Sequence, residues 1–160
     1  MKAESPNAPT TEFSLSAATR TDLATLRRFM AALYSHDEVA PDETAWAAAM
    51  GDLLDDERLG RAWMIRVDGQ PAGYIVITFG YSLEFYGRDA FVDELVIDEA
   101  FQGQGIGRQA LEQIETLLRS SGLRALHLEV EEDNTAARHL YESRGFRYRK
   151  QMHLMSKRFE

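Results

Sequence analysis

Val92-Asp93-Glu94-Leu95-Val96-Ile97 and, after residues 98–101, Gln102-Gly103-Gln104-Gly105-Ile106-Gly107 form the stretch that decides the fold. The first segment is an apolar run of β-rich residues, read as a strand. The second is a glycine-rich turn that opens a helix. Three glycines remove the Cβ atoms that would hold a phosphate away from the backbone. The N–H groups of the first helical turn then face the ligand, and the helix dipole adds its favourable end. The pattern predicts a pyrophosphate-binding turn. A tight strand-to-helix connection that needs glycine only for geometry is the competing reading. A nucleotide P-loop is excluded, because Gly107 is followed by Arg108 and Gln109 rather than by Lys and Ser or Thr. A dinucleotide fingerprint also fails, because Arg108 stands where its third glycine belongs.

Working outward, the helix opened by Gly105 carries Ala110, Leu111, Ile114, Leu117 and Leu118 at helical spacing to about Ser120, with Gly122 as its stop. Leu126, Leu128 and Val130 alternate as in a strand, and Asn134 is placed to cap a helix that Gly145 ends near Arg144. Residues 146–159 are expected to form two closing strands. Upstream, Ala90–Ile97 is a strand, Gly80–Asp89 a polar and aromatic loop, and Ala62–Val67 with Ala72–Phe79 a hairpin joined by Asp68-Gly69-Gln70-Pro71. A helix is expected from Asp42 to Asp56. Another follows a cap at Thr21 or Asp22 and presents Leu23, Leu26, Phe29, Met30 and Leu33; Phe13, Leu15 and Ala17 make a first strand. The order is β-α-α-β-β-β-α-β-α-β-β, an α/β layer structure. Residues 1–11 read as a disordered leader and 12–160 as one domain.

Composition narrows the function classes. The chain has 160 residues, 44% hydrophobic and 28% charged, with no cysteine and a formal charge of −8. Thiolate chemistry and cysteine metal sites are excluded, and no two of His36, His127, His139 and His153 have the spacing of a helical metal pair. No metal is therefore expected. The acidic balance argues against nucleic-acid binding. No apolar run reaches the ~18 residues that span a bilayer, and no apolar stretch follows Lys2 as in a signal peptide. A cytoplasmic protein without a membrane partner is expected.

A second motif, Asn134-Thr135-Ala136-Ala137-Arg138-His139-Leu140-Tyr141, runs on through Glu142-Ser143-Arg144-Gly145-Phe146. Together with Gln102, Gly105 and Gly107 it resembles the GCN5-related N-acetyltransferases, over about residues 61–158. That resemblance implies a mixed, twisted central sheet flanked by helices, with acetyl-CoA as co-substrate. It implies that the backbone of Leu95, Val96 and Ile97 pairs with the pantetheine arm as an added strand. It implies that amides from Gln102 through Gly103, Gln104, Gly105, Ile106 and Gly107 to Arg108 hold the pyrophosphate, and that Asn134 touches the pantetheine.

Amine acylation sets two proton problems. A lysine-like amine, with a pKa near 10.4, must lose a proton to attack, and the departing thiolate must gain one. Glu94 is the candidate base: it interrupts an apolar strand, and alternation puts it on the face of Val92 and Val96. Asp93 lies on the opposite face unless a bulge reverses the two. An alternative partner for Glu94 is Arg88. Tyr141 is the candidate acid, against a reading as a core tyrosine. His127 and His139 are read as structural or surface residues.

The resemblance places an acceptor cleft near Tyr34, Asp37, Glu38, Tyr81, Glu84, Tyr86 and Asp89. Acids and aromatics suit an ammonium group, whether of a polyamine, an aminoglycoside, an amino acid, a lysine side chain or a protein amino terminus. A homodimer is compatible with this reading. An acyl-CoA-binding module without turnover is the alternative.

Overall fold

The structure is a computed structural model and describes residues 12–34, 42–150 and 152–159. The chain divides into two compact units, residues 1–128 and 129–160. The first unit is built on a five-stranded sheet with spatial order β1-β2-β3-β4-β5. Its strands are β1 (Phe13–Ala17), β2 (Gly60–Val67), β3 (Gln70–Ser82), β4 (Gly87–Ile97) and β5 (Ala125–Leu128). β1 to β4 pair antiparallel and β4 pairs parallel with β5, so the sheet is mixed. The parallel pair requires a crossover, which α3 (Ile106–Ser120) supplies.

Two helices, α1 (Leu23–Leu33) and α2 (Glu43–Asp55), cover one face of the sheet. Leu26, Phe29, Met30 and Met50 pack there on Ala62, Met64, Tyr74, Val76 and Val96. The opposite face takes α3, whose Ile106 and Ala110 pack on Ile65, Val67 and Ala72. Helix starts follow the expected chemistry. The Asp42 carboxylate accepts from the Thr44 and Ala45 amides at 2.9 and 3.0 Å, capping α2. Asp22 precedes α1, but its carboxylate accepts from the Thr19 amide at 2.9 Å, closing the turn before the helix. Asp68 and Gly69 both take positive φ, the two-residue turn that Asp-Gly favours in a hairpin.

In the second unit, α4 spans Thr135–Ser143. Asn134 caps it by accepting from the Ala137 amide at 3.0 Å. Gly145, at φ 93°, lets its own N–H reach Glu142 and that of Phe146 reach Tyr141, the bonding pattern of a glycine-terminated helix. The Tyr141 and Phe146 rings meet edge to face, 5.8 Å apart, as the apolar contact of that ending.

The expected α/β class holds, with two corrections. The loop expected over 80–89 shrinks to residues 83–86, because β3 and β4 stay paired out to Ser82↔Gly87. The two closing strands are not formed: none of the described residues in 146–159 belongs to a strand. Strand propensity expresses packing within a paired sheet. This stretch has no ladder, and Met152, Leu154, Met155 and Phe159 are exposed. Among the described residues no helix is long and apolar enough to cross a membrane.

Candidate functional site

β4 brings the two halves of the candidate site into line. Its pairing with β3 sets Val76 opposite Glu94 and Ile77 opposite Val92, leaving Asp93 as an extra residue. That bulge shifts the side-chain parity. Glu94 shares the α1/α2 face with Val96, as expected, but Val92 is turned to the other face, which simple alternation did not anticipate. The bulge does not exchange the two acids. Glu94 is 8% exposed. Asp93 is exposed at the surface, although partial desolvation of its carboxyl still pushes its pKa up.

Three neutral donors converge on Glu94. Tyr34 Oη, at the end of α1, donates to Oε1 at 3.0 Å. Trp46 Nε1, in α2, donates to the same oxygen at 3.1 Å. Tyr74 Oη, in β3, donates to Oε2 at 2.7 Å. An ionised carboxylate offers about four acceptor sites, so one remains, on Oε2. Burial, followed by the neighbouring Glu94 charge, drives the Tyr74 phenol far above the usual tyrosine range, and it stays a donor. Arg88 does not hold Glu94: its guanidinium stacks on Phe79.

Trp46 and Tyr74 were not among the residues expected at the site. A signal existed: a partly buried indole N–H and a tyrosine inside an apolar strand both need acceptors, and Glu94 is the buried charged residue that supplies one. Glu94→Ala would strip the partner from the buried Tyr74 hydroxyl. It should lower unfolding free energy by about 1–3 kcal/mol in denaturant melts. Glu94→Gln keeps an acceptor and should cost less.

Downstream, the β4–β5 ladder stops at Val92↔Leu128. The edge of Leu95, Val96 and Ile97 facing away from β3 therefore lies outside the sheet's ladder. The chain then turns through a short 3-10 segment, Glu99–Phe101, capped by Asp98. Gln102 Nε2 donates to the Ile97 carbonyl at 2.9 Å and Gln104 Nε2 to that of Ala100 at 3.0 Å, so both side chains fold the turn. The Gln102 amide is directed at the Glu99 carbonyl, 3.3 Å away. Gly103 and Gly105 adopt φ of 72° and 78°, and a Cβ at either would meet open space. Gly105 is the N-cap of α3 and supplies no side chain to it. A helix start of this form, without a side-chain cap, fits an anionic ligand.

The acceptor-side residues are dispersed. Tyr34 reaches Glu94, while Asp37 and Glu38 lie outside the described residues. Glu84 falls in the β3–β4 turn; Tyr81 and Tyr86 are 72% and 87% exposed. The pairing of Tyr81 with Arg88 puts Tyr81 on the face opposite Glu94. Asp89 shares the face of Glu94 and meets His127 Nε2 at 3.3 Å, and Phe85 packs on the His127 ring. In the second unit, burial raises the Tyr141 phenol pKa.

A profile described as the Acetyltransferase (GNAT) family matches residues 25–146. The chain belongs to that family. Among curated relatives, YycN of Bacillus subtilis (strain 168), an uncharacterized N-acetyltransferase, is 39% identical over 59 residues, covering 37% of this chain and 38% of its own. The [ribosomal protein bS18]-alanine N-acetyltransferase of Haemophilus ducreyi is 40% identical over 58 residues, 36% of this chain and 40% of its own. The chain thus spans about two fifths of the length of these curated relatives. A crystal structure of an integron cassette protein, from the mobile metagenome of Cole Harbour Salt Marsh, superposes with a TM-score of 0.79 at 30% identity, covering 89% of each chain. The GNAT profile includes β4, the glycine-rich turn and α4, the elements whose geometry is described above.

Proposed function

We propose that the chain is an acetyl-CoA-dependent N-acetyltransferase acting on an amine. The observation that carries this reading is the layout of β4: a buried carboxylate, Glu94, directly precedes the edge of Leu95, Val96 and Ile97 beyond the β4–β5 ladder, which leads into the glycine-rich turn. A proton acceptor for an amine and a backbone edge for a pantetheine arm are thereby adjacent on one strand.

Acetyl-CoA supplies an activated acyl group. The backbone of Leu95–Ile97 binds its arm, and the amides from Gly103 to Arg108, with the α3 dipole, take the pyrophosphate. Asn134 uses its carbonyl oxygen as the α4 cap, which leaves its amide N–H groups as the donors toward pantetheine. Glu94 accepts the amine proton directly or through water at the remaining Oε2 site. Tyr141, whose phenol burial keeps protonated, donates to the leaving thiolate. Tyr34 at Glu94 and Asp89 on the same face of β4 suit a cationic acceptor in the cytoplasm; small amines and protein amines both belong to that class. One relative is named for an alanine amine of ribosomal protein bS18, so an alanine-terminated peptide is a natural test acceptor.

A ligand of the native state raises its stability by mass action, about 2.7 kcal/mol at 100-fold excess over the dissociation constant. Thermal melts with CoA should show that gain, and ATP and NAD should leave the midpoint in place. A shift by ATP or NAD without one by CoA would overturn the cofactor assignment.

A further inference from the structure

Two of the three donors to Glu94 come from elements far from it in sequence. Tyr34 closes α1 and Trp46 lies in the first turns of α2, yet both donate to Oε1. Both side chains are partly buried against the core between these helices and the sheet. Two donors on one oxygen fix the rotation of the carboxylate. The other ionisable groups near this face are differently engaged. Asp89 of β4 meets His127 of β5, and Arg27 of α1 meets Glu43 of α2. Asp93 is the exposed residue of the bulge, and the Tyr74 phenol stays protonated.

We infer that Tyr34 and Trp46 are positioning residues: they fix the Glu94 carboxylate, with one acceptor site on Oε2 left for the reaction. The inference rests on the reading of Glu94 as the base. It assigns α1 and α2 a part in the chemistry itself, beyond lining an acceptor cleft.

The test uses the full chain. In steady-state assays against a reactive amine, Tyr34→Phe and Trp46→Phe should each lower turnover by about 10-fold, the worth of one donor to a charged group, with the KM for acetyl-CoA unchanged. Added to Glu94→Gln, either change should cost little further turnover, because both donors act through that carboxylate. The inference is overturned if Tyr34→Phe and Trp46→Phe keep the parent turnover, or if their loss is as large in the Glu94→Gln background as in the parent. The base assignment fails separately, if Glu94→Gln retains full turnover.

Discussion

Glu94→Gln should lower turnover by about 100- to 10,000-fold, the usual contribution of a general base, while acetyl-CoA affinity stays nearly unchanged. Affinity is spared because the pantetheine contacts proposed for Leu95–Ile97 are made by backbone. The fold is spared because the amide is close in shape and its oxygen can still accept from Tyr34 and Trp46, the donors now on Oε1. Tyr74 can reverse its hydroxyl to accept from the new amide group. The loss should shrink as pH rises, because more of the amine is then already neutral. Steady-state kinetics across pH, with CoA titrations of the same variant, check both halves. Full rate at neutral pH would move the base elsewhere, with Asp93 next in line as the neighbouring acid of the bulge.

Gly107→Val should abolish measurable CoA binding and leave the protein folded. Gly107 lies within the first turn of α3, whose N-cap residue Gly105 supplies no side-chain cap. A branched side chain there obstructs the approach of a phosphate to the backbone, and valine is the better helix former of the two, so helix propensity does not oppose the change. Gly105→Val is the less clean variant. Gly105 has φ 78°, and a left-handed backbone costs an ordinary residue roughly 1–2 kcal/mol. That change strains the turn whether or not a phosphate binds. Calorimetric titration of folded Gly107→Val with CoA decides the matter. Unchanged affinity would mean that the glycines serve only the geometry of the turn.

Local chemistry was the legible part of this chain. Gly122 and Gly145 mark helix ends and Gly105 a helix start because the positive φ they adopt is a local property, and Asp42 and Asn134 mark helix starts by side-chain bonds that span three residues. Glu94 stood out because a carboxylate in an apolar strand is costly unless it has partners. What those partners were was not local. Tyr34, Trp46 and Tyr74 lie 60, 48 and 20 residues from Glu94 and meet it only through the packing of α1, α2 and β3. The bulge at Asp93 is a register property of two strands, so period-two alternation along β4 alone misassigned Val92. The residues of 146–159 alternate like strands, but alternation does not supply a pairing partner, and none of the described residues there belongs to a strand. The length of β3 and β4 was underestimated because the polar and aromatic residues near the turn look like a loop while their backbones remain paired.

Tyr141 presents both of its readings together. It supplies the carbonyl and the ring contact that finish α4, which explains a tyrosine at that position structurally. Its burial also keeps the phenol protonated, as a proton donor requires. Tyr141→Phe preserves the ring contact, so any loss of turnover in that variant belongs to the hydroxyl.

The most direct test of the central claim is the release of free CoA from acetyl-CoA across a panel of amines: polyamines, aminoglycosides, amino acids, lysine peptides and an alanine-terminated peptide. The account predicts release well above the rate in water for at least one amine, with matching acetylated product by mass and loss of the signal in Glu94→Gln. Binding of CoA with no amine-dependent release from any member of the panel would contradict it, and would leave a CoA-binding module in place of an enzyme.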